Sequence, residues 1–168
     1  MDCTSTKIAY GETGFFSKII LDYLKGEKQL HSFYRHPVSV DGLKAAMEER
    51  RKYPTDRKLL VKELQEHYQK INASEKVKNN INLLLSENTF TVTTAHQPNI
   101  FTGHLYFIYK IMHAVKLAEF LKKEFSGSDF VPVFYMGSED ADLEELGHVY
   151  INGIKKEWKT NQVAAKDT

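Results

Sequence analysis

Residues 93–110 read TTAHQPNIFTGHLYFIYK and hold, in order, a strand end, a polar loop and a helix start. The strand is Thr89–Ala95 (TFTVTTA), rich in β-branched residues. The loop carries His96, Gln97, Pro98, Asn99, Thr102 and Gly103. The helix begins near His104 and runs to about Phe125, and its apolar positions Leu105, Ile108, Met112, Val115, Ala118, Leu121 and Phe125 repeat at helical spacing. A loop that leaves the C-terminal end of a strand and opens a helix is where open α/β folds bind ligands. The helix N-terminus adds a positive dipole and N–H groups suited to an anion.

Working outward, Ser126–Asp129 is a polar loop, and Phe130–Tyr135 (FVPVFY) is a near-continuous apolar strand of the kind a parallel sheet buries. Pro132 requires that its missing N–H be harmless there. Strand, helix, strand in this order predicts a right-handed βαβ unit. Ser138 predicts a cap for a short helix over Glu139–Leu146, with acids in its first turn. Val149–Ile151 and Ile154–Trp158, joined by Asn152-Gly153, predict a hairpin with a type I′ turn.

Toward the N-terminus the character changes. Ile8–Tyr10 reads as a short extended segment, and Phe15–Lys25 as a helix stopped by Gly26. Leu30–Val40 reads as a packed surface loop, because its His31 and His36 lack metal-ligand spacing with a carboxylate. Asp41 is the expected N-cap of a helix to about Tyr53, closed by Pro54. Thr55 and Ser74 are the expected starts of two more, carrying Leu60, Leu64, Tyr68 and Ile71, then Val77, Ile81, Leu84 and Leu85. The expected organisation is a helical N-terminal region, residues 1–88, packing on an α/β core that begins at 89–168 and includes a hairpin at 148–158. Two parallel strands are too few for an open sheet, so the chain reads as the first part of a longer protein.

Composition bounds the function. The 168 residues can bury roughly 70% of their unfolded surface, enough for a core. A formal net charge of +1 gives no electrostatic footprint for nucleic acid or an anionic membrane. The one cysteine, Cys3, excludes a disulfide framework within the chain and fits a reducing cytoplasm. The sequence has neither a signal pattern nor an apolar run of membrane-spanning length.

Two constellations can carry chemistry. His96, Gln97, Thr102, Gly103, His104, Tyr106 and Lys110 gather around the first strand–helix turn. Gly103 allows a ligand close approach to backbone, and His104 at a helix start suits a phosphate or a developing negative charge. Equally, this is a polar loop whose His and Gln satisfy backbone groups, with Lys110 two turns in and snorkelling. Glu139, Asp140 and Asp142, with Glu144, Glu145 and His148, follow the second strand and belong to the same sheet edge. Carboxylates there can take an amino group, sugar hydroxyls or a metal. Glu144 and Glu145 read instead as complements to a helix dipole. No metal motif is present.

Together, TAHQPNIFTGHLYFIYKI followed by VPVFYMGSEDADLEEL resembles the bacillithiol biosynthesis cysteine-adding enzyme family, the cysteine ligases. The opening GETGFFSKIILDYL is similar to that family's N-terminal region. The resemblance implies a Rossmann-like, nucleotidyltransferase-type three-layer core, incomplete here, and a C-terminal coiled coil outside these residues that makes a homodimer. It also implies a ligase that joins L-cysteine to glucosaminyl-malate through an amide between the cysteine carboxyl and the sugar amine. Its partners are then these small molecules, with no nucleic acid and no membrane, in the cytoplasm. The cofactor is undetermined, with ATP and Mg²⁺ as candidates, and no resident metal is assigned.

By position, Phe101-Thr102-Gly103-His104 stands at the place of the HxGH phosphate-holding signature of nucleotidyltransferases, with Phe101 in place of its first His. Ala141 stands between Asp140 and Asp142 where many family members carry His. The resulting expectation makes His104, His96 and Asp140 catalytic, and Gln97, Thr102, Gly103, Tyr106, Lys110, Glu139 and Asp142 substrate- or nucleotide-binding. His104 and Gly103 hold a phosphate or oxyanion, the acids orient amino groups or sugar hydroxyls, and His96 or His148 takes the amine proton. The 168 residues alone are expected to be inactive. The alternatives are a nucleotidyltransferase-like enzyme that adenylates another acid, and a non-catalytic nucleotide- or metabolite-binding module.

Overall fold

The structure is a computed structural model that describes residues 4–99, 103–140 and 143–161. It divides into two compact units, Met1–Thr55 and Asp56–Thr168.

The first unit is helical. Tyr10 lies in a 3₁₀ turn, Tyr10–Glu12, rather than closing an extended segment. Helix α1 (Lys18–Lys25) starts after Ser17, later than the apolar pattern from Phe15 predicts, and stops at a left-handed Gly26 as expected. Lys28–Phe33 forms a 3₁₀ segment inside the stretch read as irregular. Helix α2 (Val40–Arg50) is capped by Ser39, whose Oγ accepts from the Gly42 amide at 3.0 Å. Asp41 therefore sits in the first turn rather than at the cap, where its charge still favours the dipole. His36 does meet a carboxylate: its Nε2 lies 2.8 Å from Glu49, which Arg35 also contacts. The His36 hydrogen bond, with Arg35 beside it, holds the Glu49 carboxyl below the usual glutamate range. The partner is on α2, 13 residues away, so local spacing does not reveal it.

In the second unit, α3 (Arg57–Tyr68) is capped by Asp56, one residue after the predicted Thr55, and α4 (Glu75–Leu83) by Ser74 as predicted. Strands β1 (Thr89–His96) and β2 (Asp129–Met136) pair in parallel, from Thr89 opposite Asp129 to His96 opposite Met136. Helix α5 (Leu105–Glu124) connects them. Paired residues of parallel strands share a face. Val131 packs with Val61, Ile81 and Leu84, flanked by Val133, Leu64, Tyr68 and Val77, so α3 and α4 cover one face. On the other, Phe107 meets Phe134 edge-on and Phe125 lies against Phe130. Helix α5 thus runs antiparallel to the strands and covers that face, giving helix, sheet and helix layers. Full burial of an Ile or Leu such as Ile81 or Leu84 stabilises this core by about 1.5–3 kcal/mol.

The side of α5 that meets the sheet follows the apolar repeat over Ala118, Leu121 and Phe125 but departs from it in the first half of the helix. Phe107, Ile111, Ala114, Ala118, Leu121 and Phe125 form the inward seam, with Ala114, Ala118 and Leu121 buried. Leu105, Ile108 and Met112 are exposed, Leu105 at 65%. The helix is apolar on both sides, and small residues at 114 and 118 let its backbone approach the strands.

Beyond β2, where a single helix over Glu139–Leu146 is predicted, the described residues form a 3₁₀ turn at Ser138–Asp140 and α6 (Leu143–Leu146). The hairpin forms as predicted, with β3 (His148–Ile151) antiparallel to β4 (Ile154–Glu157). Asn152 and Gly153 have φ of 51° and 76°, the two positive values a type I′ turn requires. Among the described residues no helix is long and apolar enough to cross a membrane.

Candidate active site

The C-terminal ends of β1 and β2 form one edge. The Gly137 amide donates to the His96 carbonyl at 3.0 Å, which holds the strands together one residue past their last pair. β1 ends here because Pro98 cannot donate to a ladder and keeps the residue before it extended. The chain then turns back through Gly103, which has φ of +61°. A Cβ on Gly103 would lie 2.6 Å from Asn99 Cβ and Cγ, so glycine is needed both for the conformation and for the approach of Asn99. His104 is the N-cap residue of α5 but makes no side-chain capping bond. Its ring instead stacks on Tyr106, with centroids 5.5 Å apart and planes 14° apart.

His96 is the centre of the cluster. Its Nε2 is 2.8 Å from the Tyr106 hydroxyl. Its Nδ1 is 2.9 Å from Asn99 Nδ2 and 3.2 Å from the Gln97 carbonyl. Its ring packs edge-on against Phe107, at 5.9 Å, which ties the polar cluster to the apolar seam beneath. Lys110 does not simply snorkel: its Nζ donates to the Ala95 carbonyl at 3.2 Å and lies 5.7 Å from the Tyr106 ring centroid. The structure therefore brings His96, Tyr106, His104 and Lys110 together around the start of α5, with the positive end of its dipole alongside. Tyr106 is 42% exposed, so the cluster opens to solvent.

The Gln97 part of this cluster is its carbonyl, which accepts from Asn99 Nδ2 at 3.1 Å. Thr102 and Phe101 lie outside the described residues, as do Ala141 and Asp142. The Asp140 backbone ends the 3₁₀ turn, and its side chain is outside the description. Glu139 opens from the same edge, with Tyr135 Oη donating to its Oε1 at 2.9 Å. Its own backbone amide, and next the Tyr135 hydroxyl, hold the Glu139 carboxyl below the ordinary range, while the bond raises the tyrosine. His148 lies elsewhere, in the hairpin sheet opposite Glu157 and edge-on to Tyr150 at 5.8 Å. Among the described residues, no three His, Cys, Asp or Glu side chains converge as metal ligands would.

Asn99 is the residue that reading the sequence leaves without a role. It stands three positions after His96, and Tyr106 ten positions after it, spacings that match no regular period.

Set against known proteins, residues 1–168 match the family described as Bacillithiol biosynthesis BshC, N-terminal Rossmann-like domain. A Cytophaga hutchinsonii protein named "Putative cysteine ligase BshC" is 43% identical over 95% of the chain and 30% of its own length. A protein of that name from Christiangramia forsetii is 42% identical over 90% of the chain and 28% of its own length. One from Bacillus thuringiensis is 34% identical over 84% of the chain and 26% of its own length. The chain thus spans less than a third of the length of these relatives. The match across all of residues 1–168 decides the family: this chain belongs to the BshC proteins of bacillithiol biosynthesis and carries their N-terminal Rossmann-like domain.

Proposed function

We propose that this domain supplies one side of the active centre of a ligase that joins L-cysteine to glucosaminyl-malate, the last step of bacillithiol biosynthesis. The observation that carries the reading is the meeting of His96, Tyr106, His104 and Lys110 at the C-terminal edge of β1, where α/β folds bind ligands. Amide formation makes a C–N bond between the cysteine carboxyl carbon and the sugar amine. The amine loses a proton, and a carboxyl oxygen leaves with its activating group. Negative charge develops on the remaining carbonyl oxygen as the amine attacks. Donors already in place for that oxygen lower the barrier.

His104, Gly103 and the positive end of α5 hold the phosphate or the oxyanion, and Lys110 adds a fixed cation at one turn's distance from Tyr106. Both ring nitrogens of His96 face protein partners, so His96 acts through Tyr106 rather than directly on substrate. Glu139, its carboxyl held below the ordinary glutamate range, orients an amino group or sugar hydroxyls, together with Asp140 and Asp142. Thr102 and Gln97 complete the binding loop. ATP with Mg²⁺ is the candidate source of the activating group. The ligase works in the cytoplasm as a homodimer, on small molecules alone.

The test is a product assay on the full-length enzyme. Glucosaminyl-malate and cysteine are supplied with and without ATP and Mg²⁺, and the thiol product is followed by mass spectrometry. Product that requires ATP supports the reading. Product without ATP assigns activation to another donor. Folded enzyme that makes no product under any condition overturns it in favour of a binding module.

A further inference from the structure

The hydrogen-bond geometry around His96 fixes more than the position of its ring. Asn99 Nδ2 lies 3.1 Å from the Gln97 carbonyl oxygen, which can only accept. That end of the Asn99 amide must therefore be the NH₂ group, because a carbonyl there would face another carbonyl. The same NH₂ lies 2.9 Å from His96 Nδ1. An amide donor facing a ring nitrogen at this distance requires that nitrogen to carry a lone pair. A proton on Nδ1 would set two donors against each other, with only a longer 3.2 Å approach to the Gln97 carbonyl in return. In the neutral ring the proton then sits on Nε2, 2.8 Å from the Tyr106 hydroxyl oxygen. Nε2–H donates and Tyr106 Oη accepts.

We infer that Asn99 is a positioning residue: its amide holds His96 as the Nε2–H tautomer, and the ring in turn directs the proton of the Tyr106 hydroxyl away from itself. Gly103 belongs to the device, because any side chain there would meet the Asn99 amide, with Oδ1 only 2.7 Å from a Cβ. Tyr106 Oη then directs its own proton to an acceptor other than His96, and an oxygen bearing negative charge beside Lys110 competes for that donor. That last step rests on the ligase reading, whereas the tautomer does not. A proton path from substrate through Tyr106 to a bare Nε2 is excluded by the same geometry.

The experiment is a long-range ¹H–¹⁵N correlation spectrum of histidine-labelled protein, with His96 assigned by its loss in His96→Gln. The expected spectrum has Nδ1 of His96 bare and Nε2 protonated at a pH where the ring is neutral. Asn99→Asp puts a pure acceptor beside Nδ1, so the proton moves to Nδ1. Tyr106→Phe removes the acceptor at Nε2 but leaves the proton there, since Asn99 sets the tautomer. A wild-type ring protonated at Nδ1 overturns the inference. So does an Asn99→Asp ring that keeps the wild-type pattern, or a Tyr106→Phe ring that inverts it. Asn99→Ser, which lacks the amide yet fits beside Gly103, covers the case in which Asn99→Asp fails to fold; its ring is expected to populate both tautomers, and retention of the wild-type pattern counts against Asn99. Turnover separates the two readings. If wild-type enzyme forms the amide, Asn99→Asp lowers kcat about a hundredfold with little change in KM. Unchanged kcat despite an inverted ring removes the catalytic part, whereas absence of product from wild type removes the ligase reading and leaves the tautomer standing.

Discussion

The two ends of the β1–β2 layer use polar groups in opposite ways. At the N-terminal end they finish secondary structure, around a buried Thr89 and a half-buried Arg57. Arg57 donates to the Leu84 carbonyl at 2.9 Å and the Thr89 carbonyl at 3.1 Å, tying the end of α4 to the start of β1. Thr89, only 2% exposed, returns its hydroxyl to the Leu83 carbonyl at 2.6 Å. Lys122 donates to the Ser128 carbonyl at 3.0 Å and pairs with Asp129 at 2.8 Å. At the C-terminal end, by contrast, His96, Asn99, Tyr106 and Glu139 bond mainly to one another's side chains and to loop carbonyls, and Tyr106 and Tyr135 face solvent. One end of the sheet stabilises the fold, and on the proposed reading the other holds groups kept for chemistry rather than for the fold.

If that division is right, substitutions at the two ends move different observables. The largest effect belongs to the core beneath the sheet. Leu84→Ala empties a site that is 4% exposed among Val61, Ile81 and Val131, and should cost about 3 kcal/mol in urea unfolding. The His96 ring spectrum should not change. A changed spectrum would mean that the two ends are coupled.

Next in size is His104→Ala, read as turnover of the full-length enzyme. His104 makes no capping bond, so unfolding should shift by no more than about 0.5 kcal/mol. Loss of a donor to the developing oxyanion lowers kcat by about 10²-fold to 10³-fold. Full turnover would remove His104 from the chemistry, and a large loss of stability would place it among the structural groups instead.

Arg57→Met tests the opposite end. It keeps the apolar stem but leaves two backbone carbonyls short of a donor, and should cost about 2 kcal/mol in unfolding with unchanged kcat. A smaller stability change with lowered kcat would invert the comparison.

Much of the secondary structure is legible in the sequence, and much of the C-terminal edge is not, for a physical reason. The strands, α5, Ser74 as a cap and the Asn152-Gly153 turn follow from propensities acting over a few residues. Caps at Ser39 and Asp56 rather than Asp41 and Thr55 show the limit of that reading, since neighbouring Ser, Thr and Asp residues compete for one role. The inward side of α5 depends on which of two apolar stripes meets the sheet, and only packing decides it. His96, Gly103 and His104 stand out by residue type and place. Asn99 does not, because its role arises only when Gly103 folds the loop back and brings its amide to a ring nitrogen. Gly153→Ala offers a check on the local kind of legibility. At φ of 76° an added Cβ should cost about 1 kcal/mol, read by unfolding, with no effect on the His96 spectrum. Gly103→Ala adds displacement of Asn99 to the same backbone strain and should disturb that spectrum.

The smallest effect expected is electrostatic, and it lies wholly at the C-terminal end. Glu139 is held below the ordinary glutamate range first by its own backbone amide and then by Tyr135 Oη. A depressed carboxyl favours the folded state at pH above its unfolded value, and that contribution is lost as pH falls through the folded value. Tyr135→Phe removes one of the two donors. The Glu139 midpoint, followed by carboxyl ¹³C shift, should therefore rise toward the ordinary range without reaching it, since the backbone donor remains. Global unfolding should hardly change, because this pair is solvent-exposed and its attraction is screened. Arg57 and Thr89 supply the contrast: their bonds run to part-buried backbone carbonyls and involve no carboxylate. A Glu139 midpoint that stays put in Tyr135→Phe would leave the backbone amide alone responsible, and the acid side of this edge would then be set by the 3₁₀ turn rather than by a neighbouring side chain.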